Sequence, residues 1–311
     1  MLAVRIDCIR YFAITEEPLK TQIPVIAALY LICIMLPAPA AFAEYIEPQN
    51  VSIKTESYQP QTTSFPTGTY RYDVAWQGIP VASAEVEVDS EKVGDNSFFR
   101  VQARAKTGSV IDVFYRLRHK SESVFKTDTL KPQHFTSWQK ENSREKSREV
   151  AFNNDGTVRA TGRHNGEQVT PLEFSTDNFI LDPISAAFVA RSLPIYSGED
   201  LAFDVFNGKH RYLISFHVDG REKLEVGGRE HEAFRVTPSV HKLTDSEGEK
   251  RLSSATLWVS TGPEREVLKL ESKVLVGRVS ASLASFKPAP STAGTVQQVR
   301  LVQEASEPVR Y

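Results

Sequence analysis

A mainly β fold is what this sequence predicts: one large curved antiparallel sheet, an open half-barrel or barrel-like meander, with one short helix packed on it. Three observations predict it. Apolar and polar residues alternate strictly over long stretches, as in Phe99, Val101, Ala103 and Ala105 against Arg100, Gln102, Arg104 and Lys106, and only a strand sends successive side chains to opposite faces. Short turn signals separate these stretches, which forces neighbours to run antiparallel because a parallel pair needs a long crossover. Only one segment, Asp182–Ser192, has the start and stop signals of a helix.

The chain of 311 residues begins with a segment of different character. An uncharged apolar run, Ile23–Leu36, follows Lys20 and precedes a Pro-Ala-rich stretch in which Ala41 and Ala43 suit a signal peptidase. The run has 14 residues, short of the roughly 20 that a spanning helix needs. Residues 1–43 therefore read as a cleavable signal peptide cut after Ala43, and the chain is expected to be periplasmic, with no transmembrane segment left after cleavage. Cys33 follows Tyr30-Leu31-Ile32, without the small residue that lipidation requires just ahead of the cysteine. Both cysteines, Cys8 and Cys33, leave with this segment. The domain then has neither disulfides nor thiolate metal sites and must rely on its core.

Residues 44–66 hold Pro48, Pro60 and Pro66 among Gln, Ser and Thr and read as a polar linker. The antiparallel β domain is expected over 67–286. Alternation recurs in Ala82, Ala84, Val86 and Val88 against Glu85, Glu87 and Asp89, in Tyr212, Ile214, Phe216 and Val218, and in Val274, Val276, Val279, Ala281 and Leu283. Turns are expected at Gln77-Gly78, Gly94-Asp95-Asn96, Asn153–Gly156, Asn207-Gly208, Gly227-Gly228 and Val276-Gly277. In the helix Asp182 caps, Pro183 occupies the first position and Pro194 stops. Ile184, Ala187 and Phe188 share a face that must cover one side or one mouth of the sheet. A rigid lid between Pro183 and Pro194 is the expectation, with Phe188 touching strand aromatics at the mouth of a cavity. Residues 287–311 lack a sustained period and read as a flexible C-terminal tail.

These segments resemble, in order, a bacterial family of exported proteins known only as domain of unknown function 3108. The resemblance rests on Tyr70-Arg71-Tyr72-Asp73-Val74-Ala75-Trp76-Gln77-Gly78-Ile79-Pro80, on Val113–Arg118 with Asp128-Thr129-Leu130-Lys131-Pro132, on Leu181-Asp182-Pro183-Ile184-Ser185-Ala186 with Leu193-Pro194, and on Leu257-Trp258-Val259-Ser260. It implies export and a β-rich fold and carries over no catalytic residue. The architecture is also similar, at fold level only, to periplasmic lipoprotein carriers that curve an open half-barrel over an apolar cavity. Fold alone does not establish function.

Lys and Arg number 37 against 39 Asp and Glu, a formal net charge of −2. No nucleic-acid partner held by a domain-wide basic field is expected. No Gly-x-Ser-x-Gly elbow, phosphate loop or dinucleotide fingerprint occurs, so neither a cofactor nor an enzymatic activity is predicted. The seven histidines, at 119, 134, 164, 210, 217, 231 and 241, fall in no metal-ligand spacing and read as solvated or hydrogen-bonded surface residues. Glu85 and Glu87 share a strand face and read as solvent-facing rather than as a hydrolase pair. Arg116, Arg118 and Lys120, with Lys140, Arg144, Lys146 and Arg148, form either a cradle for an anionic polymer or lipid head group or, because Glu141, Glu145 and Glu149 interleave, a solvated hairpin.

The aromatics Tyr70, Tyr72, Trp76, Tyr115, Trp138, Phe188, Tyr212, Phe216 and Trp258 lie mostly on alternating strand faces. They are either ordinary core or the lining of an apolar cleft. The resulting expectation is a non-enzymatic carrier for an apolar envelope ligand, a lipid or lipoprotein. A structural or scaffolding envelope protein with a protein or wall partner is the alternative. An outer-membrane barrel is the third, disfavoured by Pro308 near the end and by the mid-chain helix.

Overall fold

The computed structural model describes residues 65–198, 200–243, 255–273 and 277–290. The expected signal peptide, nearly all of the linker, Val274, Val276 and most of the tail lie outside the described residues. Strands run β1 (Gly68–Trp76), β2 (Ile79–Val93), β3 (Asn96–Thr107), β4 (Leu117–Lys126), β5 (Pro132–Glu141), β6 (Arg144–Phe152), β7 (Thr157–His164), β8 (Glu167–Gln168), β9 (Leu172–Ser175) and β10 (Ile180–Leu181). Helix α1 (Pro183–Ser192) follows. The chain continues as β11 (Asp200–Phe206), β12 (Arg211–Val226), β13 (Arg229–Lys242), β14 (Ala255–Ser260), β15 (Val267–Lys273) and β16 (Arg278–Pro288).

All sixteen strands belong to one sheet, ordered β10-β11-β12-β13-β14-β15-β16-β1-β2-β3-β4-β5-β6-β7-β8, with β9 also on β7. The first strand thus pairs with the last, which turns the meander into a curl. Turn geometry follows sequence closely: Gln77 and Gly78 (φ 51° and 80°), and Gly227 and Gly228 (φ 61° and 73°), adopt the left-handed backbone that tight hairpins require. One pair departs from the antiparallel reading. β10 and β11 are parallel, Ile180 opposite Asp204, because α1 lies between them and supplies the crossover a parallel pair needs.

The inward face holds the main core, with Val74, Val88, Val101, Phe125, Leu117, Val150, Phe203 and Phe206 at 1% exposure or less. The outward face of β1–β4 is charged. Arg104 reaches Glu87 at 3.0 Å and Glu85 at 3.4 Å, Arg71 reaches Glu85 at 3.2 Å, and Arg100 joins Glu91 and Glu122. Glu85 and Glu87 are therefore members of a surface ion-pair ladder. A lipid-facing barrel wall would place apolar residues there, since a charged side chain at the bilayer midplane costs about 2–4 kcal/mol. No helix among the described residues is long and apolar enough to cross a membrane.

Helix α1 begins as its sequence predicts. The Asp182 carboxylate accepts from the backbone N–H of Ile184 (2.8 Å) and Ser185 (3.0 Å), while the Ser185 hydroxyl accepts from the Asp182 N–H. Its position departs from the lid reading. Pro183, Ile184, Ser185, Ala186, Phe188, Val189 and Ser192 are all buried, so α1 lies inside the curl rather than across its mouth. Asp182 also accepts from the Ser123 hydroxyl of β4 at 2.6 Å, which ties the helix start to the opposite wall. Phe65, within the expected linker, is buried as well, against Phe188 (4.8 Å between ring centroids) and Phe99 (5.8 Å).

The two ends of the sheet meet through side chains. Phe174 of β9 packs edge-on against Phe206 of β11 at 5.1 Å. Behind it the fully buried Asp204 is held by Arg211, whose Nε donates to both carboxylate oxygens at 2.8 and 3.0 Å. Asn178 and Thr176, from the β9–β10 connection, reach the same pair.

Candidate functional site

A cavity of about 150 Å³ lies between α1 and the inward faces of β1–β3 and β11–β15. Its position follows from the pattern already described: strands β2 and β3 present Val86, Val88, Val101 and Ala103 inward, and the helix faces them across the space with Ile184, Ala187 and Phe188. The walls are aliphatic, including Val86, Val101, Val236, Leu257 and Leu270, with Ile184 and Ala187 from the helix. The polar groups are few. Tyr72 donates its hydroxyl to the Val267 carbonyl at 3.1 Å. Arg191 packs over the rings of Phe65 and Phe188, 4.9 and 5.1 Å from their centroids, and donates to the carbonyls of Arg265 and Glu264. Burial raises both the Tyr70 and Tyr72 phenols above the usual tyrosine value, so they face the cavity as neutral hydroxyls.

Four of the nine expected aromatics, Tyr70, Tyr72, Phe188 and Phe216, line this cavity. Tyr212 is buried in the main core, while Trp76 and Tyr115 pack partly buried against it. The other two tryptophans face outward. Trp138 donates to Glu145 at 2.9 Å, and Trp258 belongs to a separate cluster with Val226, Ala233 and Leu268 under Lys269. Alternation divides a strand into two faces, but where both carry apolar residues it does not say which is inside. Ile184 and Ala187 of the expected helix face do line the cavity, whereas Phe65 carries no signal in the sequence because it is one ring in a polar, proline-rich stretch. The alternation of Val86 and Val88 in β2 and of Val101 and Ala103 in β3, opposite the helix face of Ile184, Ala187 and Phe188, is the signal that would have found the cavity.

Two histidines are not on the surface as their spacing suggested. His119, on the inward face of β4 beside Gln139, is pulled down to about 4 by burial, and His210 is 5% exposed. An imidazole that is neutral when folded and protonates near 6.5 when unfolded adds stability that is complete above about 6.5 and is lost as pH falls toward 4. Chemical denaturation of the wild type between pH 7 and 4 should lose on the order of 2–3 kcal/mol more than His119→Gln does over the same range. Equal pH dependence in the two proteins would place His119 in water.

The profile of a family described as "Protein of unknown function (DUF3108)" matches residues 71–284. No curated protein matches the chain. Among solved structures, a β-barrel-like protein of domain of unknown function DUF1849 from Brucella abortus is similar at 8% identity over 72% of this chain and 98% of that one, with a TM-score of 0.46. The hypothetical lipoprotein YmcC from Escherichia coli is similar at 11% identity over 77% of this chain and 91% of its own, with a TM-score of 0.25.

Proposed function

This chain belongs to the DUF3108 family, and on that premise we propose that it is an exported, non-enzymatic carrier whose cavity takes one apolar chain of an envelope lipid or lipoprotein. The cavity carries the reading. A void of this size lined by aliphatic and aromatic side chains stays dry and accepts a benzene-sized apolar group. Packed protein interiors seldom leave such a space, because each missing contact costs dispersion energy. Its volume admits the end of a single chain rather than a whole two-chain lipid. The N-terminal apolar run and Ala43 support export to the periplasm.

Two measurements test the proposal. Native mass spectrometry and solvent extraction of protein taken from the periplasm should find a bound apolar molecule, and purified protein should take up the neutral dye N-phenylnaphthylamine. Ala187→Leu, which adds three carbons to a half-buried wall position of the helix at little cost in helix propensity, should abolish dye uptake while stability changes by less than about 1.5 kcal/mol. A wild type with no extractable ligand and no dye uptake overturns the carrier reading. A scaffold would instead trap one defined protein or wall fragment on crosslinking in cells.

A further inference from the structure

Beyond the cavity, the inward face of the sheet changes character. The register places Ala103 of the cavity wall opposite Ser121, Ser121 opposite Ser137, Ser137 opposite Arg148 and Arg148 opposite Gly162. One rung of one face thus runs from an apolar wall to a guanidinium in three strand steps, about 14 Å at the usual spacing. The adjacent rung carries His119, Gln139, Lys146 and His164 in the same order. In β6 the inward parity is fixed by the buried Val150 and Phe152, so Arg144, Lys146 and Arg148 project inward and Glu145 and Glu149 outward. Within β6 the mixed signs that suggest a solvated hairpin are sorted by face, while Glu141 of β5 shares the inward parity of Phe135 and Gln139.

Arg148 is built into its place. A Cβ at Gly162 would fall 2.4 Å from its Nη1, and one at Gly208, in the β11–β12 turn, would fall 3.1 Å from its Cβ. Glycine on both sides lets the strand and the turn approach this side chain closely. Its Nη1 donates to the Ser147 carbonyl at 3.0 Å, and among the described residues no carboxylate forms an ion pair with Arg148 or Lys146. Glu141 is the one acidic group acting on Lys146, against Arg144 and Arg148. Burial and the cations Lys146, Arg148, Lys209 and Arg144 hold His164 below its usual value. A half-buried guanidinium without a counter-charge is costly unless a ligand supplies one. The buried Ser121 hydroxyl, with no hydrogen-bond partner among the described residues, lies on the same rung.

We infer that Arg148 and Lys146 hold the anionic head, a carboxylate or phosphate, of a single-chain amphiphile whose tail enters the cavity. The inference rests on the carrier reading for the tail and on the two polar rungs for the head. Calorimetry with decanoate, decyl phosphate, decanol and inorganic phosphate separates the parts. The two anionic amphiphiles should bind about tenfold or more tighter than decanol, and Arg148→Gln should bring them within about threefold of it while decanol binding is unchanged. Lys146→Gln is the second variant, and it should weaken the anions alone. Decanoate should also raise the titration midpoint of the His164 ring, followed by NMR in the wild type, so the test does not depend on either variant folding. Equal binding of decanoate and decanol overturns the head site and leaves the carrier reading standing. Binding of none of the chains overturns both. Inorganic phosphate bound as tightly as decyl phosphate, and lost in Arg148→Gln, would make the site one for free anions and overturn the amphiphile assignment.

Discussion

Phe188→Ala is expected to destabilise the fold by about 3–5 kcal/mol. The ring is 3% exposed and sits among three others, 4.8 Å from Phe65, 5.1 Å from Phe125 and 6.2 Å from Phe99. Truncation removes its buried area and leaves a void that the surrounding sheet is too rigid to close. Phe65, Phe99 and Phe125 come from three separate segments, so the loss also loosens how the N-terminal entry, β3 and β4 grip the helix. Because Phe188 also lines the cavity, the variant should take up more apolar dye than the wild type at temperatures where it stays folded. Phe188→Leu, closer in volume, should cost less than half as much. Urea denaturation at a fixed temperature measures both. A loss below about 1 kcal/mol in Phe188→Ala would return the helix to the mouth of the sheet, as the flanking prolines suggested.

The helix shows what a sequence of this kind makes legible and what it does not. Asp182, Pro183 and Pro194 act locally, through a cap, a preset φ and a missing N–H, and local devices can be read without knowing the fold. The strands and turns are legible for the same reason, since alternation and left-handed glycines are properties of neighbouring residues. Whether α1 lies on the sheet or within it depends on how far the sheet curls, and that depends on β1 pairing with β16, more than 200 residues away. No local pattern encodes it.

The basic residues of β6 are an intermediate case. Carrying the parity of Val150 and Phe152 back along the strand puts Arg148, Lys146 and Arg144 inside and their acidic neighbours outside, a signal present in the sequence. Reading the charges as one mixed-sign group hid it. Trp138 and Trp258 fall on the outer face, where alternation alone does not separate them from the inward aromatics, and each has a partner there, Glu145 for one and Lys269 for the other. An amphipathic ring packs well at a half-wet position such as that of Trp138, while Trp258 is buried in its own outer cluster.

The seam between the sheet's ends should be as sensitive as the helix. Arg211→Met is expected to cost about 3–5 kcal/mol, because it leaves the fully buried Asp204 carboxylate without its cation. Asn178 donates to that carboxylate at 3.1 Å, but a single amide cannot replace a guanidinium whose Nε reaches both oxygens. Arg211 also stacks over Phe174, 5.6 Å from its centroid, so its loss frees β9 from β11 as well. The double variant Asp204→Leu/Arg211→Met separates the two effects. If the single variant fails because a charge is stranded, the double variant should recover most of the stability, since replacing a buried ion pair by apolar residues is often neutral or better. If the pair instead fixes how the ends of the curl meet, through Thr176, Asn178 and Phe174, the double variant should stay destabilised, and amide exchange should rise in β9–β11 ahead of the rest of the sheet. The second outcome is expected, because the described ends of the sheet have no backbone ladder joining them and β9 and β11 are held together by these side chains. Wild-type stability in Arg211→Met would mean that the curl closes without the seam.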